Sequence, residues 1–348
     1  MWLKQAKKTS SINTADKLAK VMSSGIDLTI DELIQYQNKA SLINLTAVKN
    51  IQSQMSGNYL ARSKGRGMEF DEVRHYQNGD DIRAIDWRVT ARTGTTHTKL
   101  FREEVERPVI IATDLSSNML FGSQLLFKSV QAAHLAALVA WHAKIRGDRV
   151  GGIVFNEFQH SELKPRSRQQ GVLHYIHTLM TCHENTLKQS QIQNKTQNSA
   201  QNSELAIEAE KNNQLAFEEN CLRIRQVSRP GSLVYLITDG HHINQEAIRH
   251  LSNISQHCEL VVCLVSDPLE HDLPASDKKL NVSITDGQQK QQLTLGDEKT
   301  AQQYHQQAQA IIDEKEHLLA KAGARLLHFC AGQSLEEQLK NGVASWIR

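Results

Sequence analysis

The feature that most constrains the fold is an alternation of apolar, β-branched runs with helical stretches, which starts at Pro108 and continues to the end of the sequence. The predicted strands are 109–114, 149–156, 232–240, 259–267 and 324–331, and the predicted helices are 124–147, 171–182, 203–228, 244–257, 299–322 and 334–347. Strands separated by helices of this length predict a doubly wound, mostly parallel α/β sheet with helices on both faces. Sites in such sheets lie beyond the carboxyl ends of the strands.

Three segments interrupt this alternation. Residues 158–165 are predicted to form a short strand antiparallel to the preceding one. Residues 280–295 predict a hairpin with Asp286-Gly287 at its turn. Residues 189–202 contain eight Gln or Asn residues in fourteen and show no periodicity, so we predict a disordered insertion near 187–203.

Ahead of Pro108 the sequence divides into two further parts. Residues 1–55 are polar, and a capping box at Thr29 and Glu32 starts their one amphipathic helix, so they are predicted to form an N-terminal helical extension. Residues 56–107 predict a small, β-rich charged module. The predicted domain plan is therefore extension, module and an α/β domain over 108–348.

Charge and cysteine content narrow the functional classes. The 40 Lys and Arg residues oppose 38 Asp and Glu residues, which argues against a dedicated nucleic-acid binder. Five cysteines without a CxxC pair are typical of a reducing compartment. No apolar run approaches the about 20 residues that a membrane span requires, and the N-terminus has no apolar signal segment. We therefore expect a cytoplasmic protein without an integral membrane segment.

Two predicted strands end in an aspartate, Asp114 and Asp239. Ser116 and Asn118 follow Asp114 at alternate positions, so one loop can present carboxylate, hydroxyl and amide oxygens to a single point. Oxygen ligands favour Mg²⁺, Mn²⁺ or Ca²⁺. The alternative is that both aspartates cap helices or accept hydrogen bonds from turn amides, as strand-end aspartates often do. The residues alone leave both interpretations open.

Enzymatic interpretations find less support in the sequence. The DLSS segment at 114–117 lacks the second aspartate of an aspartyl-phosphate motif, and no serine stands in a GxSxG motif. There is no GxxxxGK[ST] and no GxGxxG after a strand, so no nucleotide cofactor is expected. The adjacent His241 and His242 lack the spacing of a structural zinc site and are predicted to form a turn. His242 is the histidine nearest the predicted metal loop.

The segment 62–107 is the most highly charged part of the sequence, with ten basic and nine acidic residues. One interpretation is a solvated linker with weak ion pairs. The other is a partner surface, because arginines alternate with aspartates around Trp87, and arginine with aromatic anchors is enriched in protein interfaces. Nucleic-acid binding is less favoured, since the carboxylates nearly balance the cations.

The run from Gly65 to Gly94, followed by DLSSNM (114–119) and GDRVGGIVF (147–155), resembles the bacterial domain-of-unknown-function 58 family. That family carries a VReYqpGDDpRrIDWkasAR signature ahead of a von Willebrand factor A-like domain. The signature positions are occupied here by Val73, Arg74, Tyr76, Gly79, Asp80, Asp81, Arg83, Ile85, Asp86, Trp87, Ala91 and Arg92. His75 and Asn78 depart from it.

The resemblance implies a non-enzymatic, protein-binding adaptor that works with a MoxR-type AAA+ ATPase in the assembly or maturation of client proteins. The charge distribution points to the charged module as the surface that binds the partner, and its near balance of cations and carboxylates leads us to expect no binding of nucleic acid. The partner-binding residues would be Arg74, Tyr76, Gly79, Asp80, Asp81, Arg83, Asp86, Trp87 and Arg92.

The resemblance also implies a metal-ion-dependent adhesion site, in which a DxSxS loop, a threonine and a further aspartate hold Mg²⁺ and a client carboxylate completes the site. Asp114 and Ser116 match the first loop, Asn118 replaces its last serine, and Asp239 suits the third element. The loop PRSRQQG after residue 164 has no threonine, so Ser167 is the only hydroxyl available there.

Two alternatives to the adaptor remain. One is a divergent metal-dependent hydrolase with Asp114 and Asp239 as metal ligands, for which the sequence shows no evident general base beside the loop. The other is a nucleic-acid-associated factor using the arginines of 62–107.

Overall fold

The computed structural model describes residues 14–42, 68–103, 107–197, 203–274, 280–285 and 290–341. The described residues before 43 and after 106 form one compact unit, and those of 68–103 belong to a second unit. The first unit therefore joins the N-terminal residues, predicted to be a separate extension, to the α/β domain.

The described chain contains the following helices and strands. The helices are α1 (Thr14–Val21), α2 (Ile30–Ile34), α3 (Tyr36–Lys39), α4 (Trp87–Thr93), α5 (Lys128–Ile145), α6 (Arg168–Gln197), α7 (Ser203–Val227), α8 (Gln245–Ser255), α9 (Pro268–His271), α10 (Glu298–Lys321) and α11 (Leu335–Lys340). The strands are β1 (Met68–His75), β2 (His97–Glu103), β3 (Pro108–Asp114), β4 (Arg149–Phe155), β5 (His160–Arg166), β6 (Leu233–Thr238), β7 (Glu259–Ser266), β8 (Leu280–Thr285), β9 (Lys290–Leu295) and β10 (Arg325–Cys330).

A six-stranded sheet organises the larger unit, with the order β10-β7-β6-β3-β4-β5. Five of its strands are parallel, and β5 pairs antiparallel with β4. The mixed α/β fold with a mostly parallel sheet is thus confirmed, as is the antiparallel strand after β4. Asp114 and Asp239 follow neighbouring strands, so they meet at one edge of the sheet.

Alternate residues of the central strand enter the two cores. Val109 and Ile111 of β3 face the core that contains α5 and α6, whereas Ile110 and Ala112 face the core under α7 and α8. This alternation follows from the two-residue period of a strand. Helices cover both faces, which explains why the central strands are apolar throughout.

The helix α5 is buried along nearly its whole length, including Trp141 and His134. A helix that is apolar on all sides needs cover on the side away from the sheet. The N-terminal segment supplies it: Leu33 and Tyr36 join the same core, and the Trp141 indole N–H donates to the backbone oxygen of Leu33. Glu32 and His134 form a fully buried pair beneath it. Residues 14–42 are therefore a structural layer of the α/β unit.

Two sequence predictions are corrected here. The disordered insertion predicted near 187–203 is wrong for 187–197, because α6 continues to Gln197, and α7 begins at Ser203. Glutamine is a good helix former, so a Gln-rich composition is compatible with a continued helix. The predicted single helix after Thr29 is instead α2, α3 and a 3₁₀ turn, although its capping box is confirmed. The Asp286-Gly287 turn lies outside the described residues.

The second unit is a small hairpin with an added helix. Strands β1 and β2 pair antiparallel with a bulge between Phe70 and Glu72, and α4 lies between them in the chain. Across the whole described chain, no helix combines the length and apolar character needed to cross a bilayer.

Candidate functional site

Asp114 joins the loops that follow β3 and β6. Its carboxylate is buried and accepts hydrogen bonds from the Ser116 backbone N–H at 3.0 Å and from the Thr238 hydroxyl at 2.7 Å. Thr238 is the last residue of β6. The two neighbouring strands are therefore tied together at their carboxyl ends by a carboxylate, as the parallel sheet predicts.

Ser116 and Asn118 lie in the turn that leaves β3. The Ser116 hydroxyl is buried close to the Asp114 carboxylate but makes no hydrogen bond of good geometry within the described chain. The Ser117 backbone N–H lies 3.1 and 3.2 Å from the two carboxylate oxygens of Glu157, which follows β4. Asn118 places its amide nitrogen 3.2 Å from Nε2 of His242. A buried hydroxyl without a partner is the part of this turn that a ligand would satisfy.

Asp239 is paired with a lysine. The Lys128 side chain is only 3% exposed, and its ammonium lies 2.8 Å from Asp239 and 2.6 Å from Glu270. The second Asp239 oxygen accepts a hydrogen bond from the His241 backbone N–H at 2.9 Å. One carboxylate predicted as a metal ligand thus already has a cationic neighbour.

The two aspartates differ in their electrostatics. Burial, and then the charge of Asp239, raise the pKa of Asp114. Burial also opposes ionisation of Asp239, but Lys128 outweighs it and lowers that pKa to about 2. Burial raises the pKa of Glu157 and lowers that of His241. The cluster therefore stabilises negative charge at Asp239 and disfavours it at Asp114, where a bound cation would relieve the penalty.

Ser167 is not part of this cluster, and its prediction as a ligand is wrong. Strand β5 runs antiparallel to β4, so Arg166 pairs with Val150 at the amino end of β4. Asp114 pairs with Phe155 at the carboxyl end of the same strand. Ser167 therefore lies at the opposite edge of the sheet, roughly 15 Å away at about 3.3 Å per residue.

Several residues that the sequence did not identify complete this edge. They are Lys128, Glu157, Thr238 and Glu270 around the aspartates, and Glu210 beside His241 and His242. Glu157 and His242 are groups capable of proton transfer beside the loop, where the sequence showed no evident general base. Thr238 could have been inferred from the sequence, because it ends the predicted strand before Asp239. Lys128 and Glu210 lie on helices, and nothing in the sequence around them indicates that they reach this edge of the sheet.

The acidic residues of the signature form the frame of the charged module. The Asp86 carboxylate caps α4 by accepting from the backbone N–H groups of Arg88 and Val89. Asp80 pairs with Arg74 at 2.7 Å and also accepts from the Gln77 N–H. The Val89 and Gln77 N–H groups are the main causes of the lowered pKa values of Asp86 and Asp80, respectively.

Other signature residues complete the turn between β1 and α4. The Tyr76 hydroxyl donates to the backbone oxygen of Asp80, and Asp81 accepts from the Arg83 N–H. Gly79 has a φ of +107°, a backbone conformation that favours glycine. Each of these residues therefore stabilises the turn between β1 and α4.

The apolar and basic signature residues remain at the surface. Trp87 is 67% exposed, and Ile82, five residues earlier in the chain, is 66% exposed. Arg83, Arg88 and Arg92 are also exposed. A tryptophan at the first position of a helix, exposed to this extent and beside arginines, has the composition of a protein-binding surface.

The family model described as "Protein of unknown function DUF58" matches residues 72–316, more than half of the chain. The chain belongs to this family. The match to the DUF58 model includes the signature from Val73 to Arg92 and the loops that carry Asp114 and Asp239.

Two relatives of this DUF58 chain are "Uncharacterized protein Mb1516" of Mycobacterium bovis and "Uncharacterized protein Rv1480" of Mycobacterium tuberculosis, each 29% identical over 139 residues. The match covers 40% of this chain and 44% of each relative, so it spans less than half of their length.

Two solved structures were also matched. BatB from Bacteroides thetaiotaomicron has a TM-score of 0.37 and 15% identity, over 69% of this chain and 98% of that one. An aerotolerance-related membrane protein from Bacteroides fragilis has a TM-score of 0.36 and 13% identity, over 69% and 99%.

Proposed function

We propose that the chain is a non-enzymatic adaptor that binds a MoxR-type AAA+ ATPase through its charged module and acts in the assembly or maturation of client proteins. The observation that carries this proposal is the exposure of Trp87 and Ile82 in a segment that also exposes Arg83, Arg88 and Arg92. A chain that uses its signature carboxylates for its own fold while leaving the signature tryptophan in solvent has a surface suited to a partner.

The ATPase surface that fits this patch is acidic with an apolar pocket. Trp87 and Ile82 would fill the pocket, and Arg83 and Arg92 would pair with carboxylates at its rim. Arginine forms bidentate pairs with carboxylates, which gives such a rim geometric specificity. Asp86 acts differently, because its carboxylate holds the helix that presents Trp87.

Trp87→Ala and Asp86→Ala are expected to separate binding from folding. Trp87→Ala should weaken binding to the purified ATPase by about tenfold or more and change stability by less than about 0.5 kcal/mol. Asp86→Ala should lower stability by about 0.5–2 kcal/mol through loss of the helix cap. The measurements are titration calorimetry and urea unfolding, after co-purification has identified the ATPase.

The matched control is Ile145→Ala, an apolar residue of the other unit that is 59% exposed. It should leave ATPase binding unchanged. Recovery of no ATPase on the tagged chain, or equal binding by wild type and Trp87→Ala, would contradict the adaptor proposal.

For client binding, we infer a Mg²⁺-dependent adhesion site of the von Willebrand factor A type at the carboxyl edge of the sheet. The donors there fit a hard cation: two carboxylates, Asp114 and Asp239, and the unsatisfied buried hydroxyl of Ser116. Asn118 can add an amide oxygen. Lys128 lowers the net negative charge of this set, so the cation would be held weakly until a client carboxylate completes it.

Calorimetry with Mg²⁺ or Mn²⁺ tests this site. Wild type should bind one ion, and Asp114→Ala should bind at least about tenfold more weakly because it removes a charged ligand. The matched control is Asp148→Asn, which changes a buried carboxylate that precedes β4 and accepts from the Arg107 N–H. Indistinguishable titrations of wild type and Asp114→Ala would exclude metal binding here.

A metal-dependent hydrolase that uses Asp114 and Asp239 as ligands is the second candidate. The observation in its favour is the position of Glu157 and His242 beside the Ser116–Asn118 turn, where either could transfer a proton. Phosphatase and esterase assays with Mg²⁺ and Mn²⁺ discriminate the two candidates. Turnover that is lost in Asp114→Ala would favour the hydrolase.

A further inference from the structure

A second group of metal-binding side chains lies beside the Asp114 cluster. Glu210 on α7 faces His241 and His242, which follow Asp239 in the loop after β6. One potential ligand atom from each residue lies within 4.8 Å of the other two. Two imidazoles and a carboxylate are a common protein ligand set for Zn²⁺.

The spacing of these atoms is compatible with a shared metal ion, and only the His242–Glu210 contact is also a hydrogen bond. The Glu210 oxygen lies 3.2 Å from Nδ1 of His242 and 3.7 Å from Nε2 of His241. Neighbouring ligands of a tetrahedral zinc ion are about 3.3 Å apart when the bonds are about 2.0–2.1 Å. The longer distance exceeds that of a hydrogen bond, so hydrogen bonding does not explain why the His241 ring also faces this carboxylate.

The orientation of His242 is set by its surroundings. Its side chain is only 3% exposed, and its Nε2 atom lies 3.2 Å from the Asn118 amide. Its other nitrogen, Nδ1, points to Glu210. In this structure the Asn118 amide nitrogen faces Nε2. Metal binding at Nδ1 would place the proton on Nε2, and the Asn118 amide would then turn over so that its oxygen accepts this proton. A partner of this kind outside the ligand set is typical of metal-binding histidines.

The local backbone brings the two histidines to one side of the loop. Gly240 has a φ of +69°, and the His241 N–H donates to the Asp239 carboxylate, so the chain turns tightly as it leaves β6. Glu210 and His241 are partly exposed, with 42% and 53% of their side-chain surfaces accessible. An ion could therefore enter from solvent.

We propose that Glu210, His241 and His242 bind a divalent first-row transition metal, with a fourth position open to water or to a side chain of a partner. Nitrogen donors favour Zn²⁺, Co²⁺ and Ni²⁺ over Mg²⁺. This site is distinct from the oxygen site at Asp114, and it stands whether or not the adaptor and adhesion-site proposals hold. It gives Asn118 a role as the residue that positions His242.

The test measures Zn²⁺ binding to the full chain, without a histidine tag and freed of metal by EDTA, in competition with a chromophoric chelator. Wild type should bind one Zn²⁺ with high affinity. Glu210→Gln and His241→Asn should each weaken binding by about tenfold or more, and a large excess of Mg²⁺ should not compete. Co²⁺ should give the intense visible bands of a four-coordinate site, which both variants should lose.

The matched control is His305→Asn. His305 and Asp272 form an exposed histidine–carboxylate pair at 2.8 Å, and neither belongs to the group of three potential ligands found in the described chain. This variant should bind Zn²⁺ like wild type. Melting in EDTA should show both test variants folded, since neither side chain is buried. Equal Zn²⁺ affinity in wild type, Glu210→Gln and His241→Asn would overturn the proposal.

Discussion

Replacing Lys128 with methionine is expected to lower the free energy of unfolding by about 3–5 kcal/mol, measured by urea unfolding at neutral pH in EDTA. Methionine keeps the apolar length of the side chain and removes only the ammonium. The cost arises at Asp239, whose carboxylate is almost fully buried and would lose its cationic partner. Glu270 contributes less, because 39% of its side chain is exposed and can be hydrated.

The pH dependence of this effect has a definite sign. The pKa of Asp239 is lowered to about 2, below its value of about 3.9 in an unfolded chain. Its pairing therefore stabilises the wild type above about pH 4 and is lost as the pH falls towards 2. Without Lys128 the folded pKa of Asp239 rises, so protonation relieves the variant. The stability difference between the two proteins should shrink as the pH falls.

The control is the double variant Lys128→Met/Asp239→Asn. Removing both charges should recover about half or more of the stability lost in Lys128→Met, because no unpaired carboxylate remains buried. A loss below about 1 kcal/mol in Lys128→Met, or no recovery in the double variant, would show that the pair does not stabilise the fold.

The sequence pattern predicts the sheet and the meeting of Asp114 with the β6 loop for a clear physical reason. A parallel sheet brings the carboxyl ends of its strands to one edge. The prediction of Ser167 as a ligand overlooked the same rule. The strand that leads to Ser167 was predicted to be antiparallel, and an antiparallel strand ends at the other edge of the sheet.

The sequence of α5 also indicates that another segment must cover this helix. Residues 128–145 are apolar around the whole helix, which requires packing on both sides. The amphipathic segment after Thr29 is the cover, and its buried Leu33 and Tyr36 pack against this helix. The sequence indicates that this helix needs a cover but not which segment supplies it, so residues 1–55 were predicted to form a separate extension.

The neighbours of the candidate site could not be predicted in the same way. Lys128 lies 111 residues from Asp239 in sequence, and Glu210 lies 32 residues before His242. Both face the edge of the sheet from helices whose placement depends on the packed core. Their contacts are fixed by tertiary structure, which a single sequence does not display.

Gly152→Ala is expected to destabilise the protein more than a methyl group added at any other position of the sheet. Gly152 pairs with Ile111 in the centre of the sheet, and a β-carbon there would lie 2.0 Å from the Ile111 backbone oxygen. Backbone cannot rotate away as a side chain can, so β3 and β4 must separate and lose hydrogen bonds. We expect a loss above about 4 kcal/mol, or no folded state, by circular dichroism and urea unfolding.

Gly231→Ala separates the clash from the general cost of losing a glycine. A β-carbon at Gly231 would meet nothing within 4 Å, and its φ is +82°, so only backbone strain of about 1–2 kcal/mol is expected. A similar small loss in Gly152→Ala would mean that β3 and β4 can move apart cheaply. The spacing of Asp114 and Glu157 would then not be rigid, because Asp114 ends β3 and Glu157 lies two residues after the end of β4.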